Sequence, residues 1–455
     1  MTVLCHCSAA LALVAITTLT VPARGWESEV PPDDYLVSPV QYGHGRRLGE
    51  SGGTCEASIE GVPWEPLRLG VHFIDLEADL PDKPMRDFIR SEAVPRAVAF
   101  WQKTLMVRRA QAPVRAARSC GSRWPHGVCY SVYYKGGGAS CGYINGTAIM
   151  IPDEYLDELT TFKECYGDDT CGYPTVYPAG EGYSDVDMVI LVTAKHDSAC
   201  GINGNGVIAF ALSCQRDQCD RPTFGLVNVC PQMINVDSEY AKDNLVGTMT
   251  HELAHALVFS AYKYPLFRYA DGSPRVPRNP DTAGVLRPYG TRGSCVFKIV
   301  TPKVVEKARD YFDCPTLDGM EIENQSPRQG CHVLESHWEQ RLLEGELMVP
   351  IANFGYHFMS EITLALFEDS GWYLPDYSMA TKMHKGMFFG YKQGCSFAMD
   401  KCINSESEAT FEVGKKKTSH FCGAADDDED RCSLDLKTKV RCSVKHEKAP
   451  LSQYE

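Results

Sequence analysis

After the first 25 residues the chain has no apolar run approaching the ~20 residues that span a bilayer, and no hydrophobic tail of the lipid-anchor type closes its C-terminus. It has no surplus of basic charge: 45 Lys and Arg against 59 Asp and Glu give a formal net charge of -14, which repels phosphate backbones and excludes nucleic acid as a partner. It has no C-x-x-C pair, which removes zinc ribbons and fingers from consideration. No internal repeat and no regular alternation of strand and helix is present, so solenoids and wound parallel sheets do not fit. A mixed α+β fold does.

Cysteine is abundant instead. Of twenty, Cys5 and Cys7 fall in an N-terminal segment whose apolar stretch, Ala9 to Val21, is too short to span and is followed by Ala23-Arg24-Gly25. Residues 1–25 read as a secretory signal, although the usual basic residue before the apolar stretch is missing. The other eighteen cysteines then enter an oxidising compartment and are expected to pair as disulfides. Two sequons, at Asn145 and Asn324, agree with that route, and the second is weakened by Pro327. The chain is expected to be secreted or held at the cell surface. It carries no transmembrane helix, peripheral membrane attachment stays open, and a monomer is expected.

Residues 26–61 are polar, rich in Pro and Gly, and contain Arg46-Arg47, as in a cleavable leader. The G-x-S-x-G string at Gly49–Gly53 lacks the strand before and the helix after that a nucleophile elbow needs, so it reads as a loop. Strands are expected at 67–76, 185–194, 206–214 and 223–230, and helices at 85–106, broken near Pro95, and at 239–259, 302–312 and 360–371. The stretch 120–180 reads as loop-rich. The acidic run Asp426 to Asp430 reads as a solvated loop, since its spacing does not match an EF-hand.

The segment that carries chemistry is His251-Glu252-Leu253-Ala254-His255. Four residues apart on a helix, both imidazoles face the same way, while Leu245, Met249, Leu253 and Leu257 make a stripe on the other side. Such a pair suits Zn2+, with Glu252 placed to take a proton from the attacking water and hand it to the leaving amine. A third ligand is required. No Glu occurs between His255 and Glu306, Asp271 sits in a turn-like stretch, and Val258 and Ala261 occupy the places of a short Gly-x-x-His continuation. His332 and His337 remain as the candidates.

With these blocks the chain resembles the leishmanolysin-type peptidases, metzincins in which a long insertion separates the second and third histidines, and among them the leishmanolysin-like type of animals. THELAHALVFS (250–260), SHWEQRLLEGELM (336–348), CDRPTFGLVNVCPQMI (219–234), TPKVVEKARDYFDCPTLDGMEIENQ (301–325) and ITLALFEDSGWY (362–373) carry the likeness, which runs from about Pro63 onward. The resemblance implies one zinc ion on His251, His255 and His337, Glu252 as the catalytic carboxylate, and Met348 in the turn beneath the metal. It implies that Gly206, Val207, Ile208, Ala209, Phe210 and Ala211 form a cleft-edge strand on which an extended protein substrate pairs.

It also implies a metzincin catalytic subdomain at 62–260, a central subdomain at 261–374 and a Cys-rich region from 375 to 455 that is shorter than usual for the family. Cys55 is the one leader cysteine for an inhibitory zinc switch, a role set against its pairing in a disulfide. Val258 stands where the family helix usually ends in glycine, so the chain should continue or turn differently there. The expected function is a zinc endopeptidase. The alternative is a weakly active or inactive zinc-bound adhesion protein.

Overall fold

The structure is a computed structural model that describes residues 54–400, with interruptions at 110–111, 126, 167–169, 202–205, 276–285, 292–293, 324–335, 351–356 and 385–387, and four short strands beyond. The signal, most of the leader, Asn324 and His332 lie outside the described residues, as does nearly all of the acidic run.

A four-stranded sheet organises the first half. Strands β1 (Leu69–Phe73), β2 (Met188–Thr193), β3 (Ala209–Arg216) and β4 (Pro222–Val229) lie in the order β3-β4-β2-β1. The β4–β2 and β2–β1 contacts are parallel, and β3 runs antiparallel along β4 at one edge. Both central strands are buried throughout, which requires cover on both faces and explains their unbroken apolar sequences. Alternate residues serve the two faces. Met188, Ile190, Val192, Val227 and Val229 join the main core, whereas Val189, Leu191, Phe224 and Leu226 pack on Ala116, Ile149, Ile151 and Leu156.

Helices cover the first of these faces. Helix α1 (Val94–Thr104) continues directly from helical turns over 83–93, and it admits Pro95 because the π-helical turn Ile89–Ala93 just before it makes room for the ring and the missing N–H. Its buried Trp101 donates from Nε1 to the Thr250 carbonyl at 2.9 Å, tying it to α2 (Glu239–Leu257). Helix α2 begins at Ser238, whose hydroxyl accepts the Ala241 amide at 3.1 Å, a cap worth about 1 kcal/mol. Its stripe of Leu245, Met249, Leu253 and Leu257 is buried, as its spacing predicts. Further on, β5 (Ser294–Ile299) pairs with the short β6 (Met320–Glu321), and α3 (Pro302–Phe312), α4 (Gln340–Leu343) and α5 (Glu361–Asp369) complete the second half of the core.

The α+β reading holds, and the strands and helices expected from apolar periodicity are present with ends shifted by a few residues. The stretch 120–180 differs from expectation. It forms three hairpins, Cys120–Arg123 with Cys129–Val132, Ser140–Ile144 with Thr147–Met150, and Leu159–Tyr166 with Thr170–Tyr177. The strands of the first two are short, and those of the third are largely exposed or half-exposed where their burial is described, so no period-2 apolar signal marks them. Cystine bridges secure two of them, Cys120–Cys129 and Cys165–Cys171. Other bridges among the described residues join Cys141 to Cys214, Cys200 to Cys230 and Cys314 to Cys395. Cys55 is bonded to Cys219, so in this state its thiol is committed and not available as a zinc switch.

Candidate metal centre

Helix α2 supplies two imidazoles. One turn apart, His251 and His255 bring their Nε2 atoms to 2.9 Å from each other. His337 adds a third Nε2 at 3.1 Å from that of His255, although 82 positions separate the two in sequence. Among the described residues this trio is the group of potential ligands that could hold a metal ion. Asp271 is elsewhere: its carboxylate accepts the Ser273 amide and hydroxyl in an exposed turn.

The outer ring nitrogens decide the tautomers. His251 Nδ1 meets the Leu347 carbonyl at 2.6 Å, and His255 Nδ1 meets the Phe259 carbonyl at 2.7 Å. His337 Nδ1 meets the Glu323 carboxylate at 2.8 Å. A carbonyl oxygen only accepts, so His251 and His255 each carry their proton on Nδ1 and leave Nε2 a bare lone pair. His337 with a carboxylate partner does the same. Three lone pairs thus point at one another across about 3 Å, which is repulsive unless a cation lies between them. Four-coordinate zinc with ~2.05 Å bonds to imidazole holds neighbouring nitrogens roughly 3.3 Å apart, so the set fits that ion closely. Burial, then competition with the adjacent His337 for a proton, drives His251 down to about 3, and His255 is also held well below the ordinary range, first by burial. Both stay neutral and ready to bind.

Glu252 is buried beside His251, and burial alone lifts its carboxyl to about 8 in the metal-free chain.

Val258 does not occupy a left-handed conformation. With φ −145° and ψ −36° it ends α2 at negative φ, where no glycine is demanded, and its amide returns to the Ala254 carbonyl at 2.8 Å. The role that glycine plays elsewhere is divided here. Val258 and Phe259 pack fully into the core, and the buried Lys263 ammonium donates to the last-turn carbonyl of His255 at 2.6 Å, where the helix dipole favours a cation. The reversal brings the Phe259 carbonyl back to His255.

Backbone pairing positions His337. Ile322 and Trp338 form an antiparallel bridge just past β6, and the Glu323 amide donates to the His337 carbonyl at 2.9 Å. On the other side the Trp338 amide donates to the Met348 carbonyl at 2.9 Å. Met348 itself is fully buried, in the turn whose Leu347 carbonyl holds His251. A carboxylate fixes that turn. Glu346, fully buried, accepts the Met348 amide on one oxygen. Its other oxygen accepts the Ser360 amide at 3.1 Å, the Ser360 hydroxyl at 2.8 Å and the Thr363 hydroxyl at 2.5 Å. Glu323, Glu346 and Lys263 carry no motif signature, and no local pattern marks them in the sequence.

The expected cleft-edge segment divides. Ala209, Phe210 and Ala211 lie on β3, the edge strand of the sheet, whereas Gly206, Val207 and Ile208 lead into it. Val207 and Ile208 are tied by backbone hydrogen bonds to Ala199 and Cys230.

Comparison with known proteins agrees with this architecture. The sequence profile of leishmanolysin, peptidase family M8, matches residues 163–455. A leishmanolysin-like peptidase of Drosophila melanogaster is 31% identical over 419 residues, covering 84% of this chain and 58% of that protein. The Caenorhabditis elegans leishmanolysin-like peptidase is 32% identical over 404 residues, 81% of this chain and 57% of its own. Leishmania major leishmanolysin is 34% identical over 225 residues, 49% and 32% of the two chains. The chain therefore spans under three fifths of the length of these relatives. By profile and by relatives alike, it belongs to the leishmanolysin family of peptidases.

Proposed function

We propose that the chain is a zinc-dependent endopeptidase acting on extended protein segments, with His251, His255 and His337 holding the ion and Glu252 as the catalytic carboxylate. The observation that carries this reading is the convergence of three unprotonated Nε2 atoms beside a buried carboxylate. When bound, zinc would polarise the scissile carbonyl and lower the pKa of water at its open position. With a cation on the neighbouring imidazoles, Glu252 would return toward its ionised form, in which an Oε atom accepts a proton from the attacking water. The same carboxyl then delivers that proton to the departing amine. The leucine stripe beneath α2 keeps the helix, and so the spacing of its two ligands, fixed through the reaction.

Substrate would add as a strand along the outer edge of β3, with main-chain hydrogen bonds for affinity and side-chain pockets for selectivity. The buried Met348 is the family's turn methionine in this reading, an apolar floor to the site. The signal at 1–25, the leader at 26–61 and the three regions ending at 260, 374 and 455 belong to the same proposal. So does a secreted or surface location, for which peptidase relatives and the cystine bridges give support. No described helix is long and apolar enough to cross a membrane.

The test is Glu252→Ala, assayed on casein and by fold and metal content. An endopeptidase loses chelator-sensitive cleavage while keeping its fold. An adhesion protein keeps its full activity through that substitution, and cleavage that survives in the variant refutes the proposed role of Glu252.

A further inference from the structure

The three imidazoles are not held alike. Those on α2 are fixed by the helix itself and need only a neutral backbone carbonyl at Nδ1. His337 has no helix beneath it: it sits two positions before Glu339, in an irregular stretch secured by single backbone hydrogen bonds to Glu323 and, through Trp338, to Met348. Yet it is the imidazole whose outer nitrogen faces a charged side chain, Glu323 Oε2 at 2.8 Å. Both members are largely shielded, with side-chain exposures of 23% and 14%, so solvent does little to weaken the contact. The Glu323 carboxylate lies on the far side of the ring from the converging Nε2 atoms and is not one of the potential ligands.

On the reading of the trio as a zinc site, we propose that Glu323 is the positioning residue of the third ligand. It locks the Nδ1–H tautomer and the ring plane of His337, so that its Nε2 stays aimed at the imidazoles of α2. The pairing of Ile322 with Trp338 delivers the carboxylate in register, because residues 322 and 323 on one side face 338 and 337 on the other. A carboxylate partner also makes the imidazole a stronger donor to a cation, and outer partners of this kind typically contribute 10–100-fold to metal affinity. The ligand with the least support from secondary structure thus has the strongest outer partner.

The experiment measures zinc affinity by chelator competition on the full chain, for wild type and for Glu323→Ala, Glu323→Asp and Glu323→Gln, alongside the d–d spectrum of cobalt-loaded samples. Alanine removes the acceptor, and aspartate keeps the charge but withdraws it by one methylene. Both are expected to weaken zinc about 10–100-fold and to disturb the cobalt bands. Glutamine keeps an acceptor oxygen in place and is expected to restore most of the affinity and a near-native spectrum. Aspartate and alanine variants that bind zinc within about threefold of wild type, whatever their thermal stability, overturn the proposal. Because the aspartate change perturbs packing less than alanine does, its result stands if the alanine variant does not fold. A wild type that binds no zinc at all refutes the functional reading instead.

Discussion

Replacing Glu346 by glutamine exchanges one carboxylate oxygen for an NH2 and alters almost no volume, yet the structure leaves no orientation in which the amide fits. One carboxylate oxygen accepts the backbone N–H of Met348 and the other that of Ser360, and neither amide can rotate away. The Ser360 and Thr363 hydroxyls can turn round; the backbone cannot. Whichever way the new NH2 points, it faces an N–H, and one buried donor loses its partner at about 1–3 kcal/mol. The remaining bonds lose their charge assistance, worth roughly 1 kcal/mol more in total once the relief of a buried charge is subtracted. Burial raises the Glu346 pKa, which is the sign of that relief. The sum is about 2–4 kcal/mol. At roughly 2 °C per kcal/mol, Tm should fall by about 4–8 °C in a differential scan of the chelator-treated chain. Zinc retention should fall with it, since the same turn presents the Leu347 carbonyl to His251. A Glu346→Gln chain with unchanged Tm and unchanged zinc retention would falsify the view that this carboxylate holds the turn.

Other substitutions test separate parts of the architecture. In the chelator-treated chain Glu252 has its pKa raised from 4.5 to about 8, so the folded state keeps a proton that the unfolded state releases. Stability from this group is present below pH 4.5 and lost as pH rises toward 8, and wild type should lose denaturant resistance relative to Glu252→Gln across that window; parallel profiles would contradict the burial argument. Lys263→Met strips the His255 carbonyl of its donor and should cost about 1–3 kcal/mol, read as a lower urea midpoint. Asn145 is exposed at φ 46° in the turn of a hairpin, and expression through a secretory pathway should add a glycan that Asn145→Gln removes, seen as a mass shift. Peptide mapping without reduction should recover Cys55 linked to Cys219; a free Cys55 thiol would reopen the switch.

The helix bearing His251 and His255 was legible because motif and apolar period coincide on it, and both signals are local. The central strands were legible for a similar reason: a strand buried on both faces is a continuous apolar run. His337 could not be separated from His332 by spacing, since what brings it to the trio is backbone pairing with residues 321–323, and register across a long insertion leaves no local trace. Resemblance to a family supplied that choice. The hairpins between 120 and 180 escaped because cystine bridges and turns hold the first and third, and the second offers the core only a few scattered apolar residues such as Ile144 and Ile149. Valine at 258, where glycine commonly ends such helices, implied a different turn, and the structure shows one: an exit at negative φ with Lys263 on the last-turn carbonyl.

The central claim, that three imidazoles share one cation, is tested most directly by metal content. X-ray fluorescence or plasma emission on the purified chain should find one zinc per molecule, and His251→Ala, His255→Ala and His337→Ala should each lose most of it while Glu252→Ala keeps it. A chain that folds without zinc under saturating conditions, or a His337→Ala variant that binds it as tightly as wild type, would contradict the account.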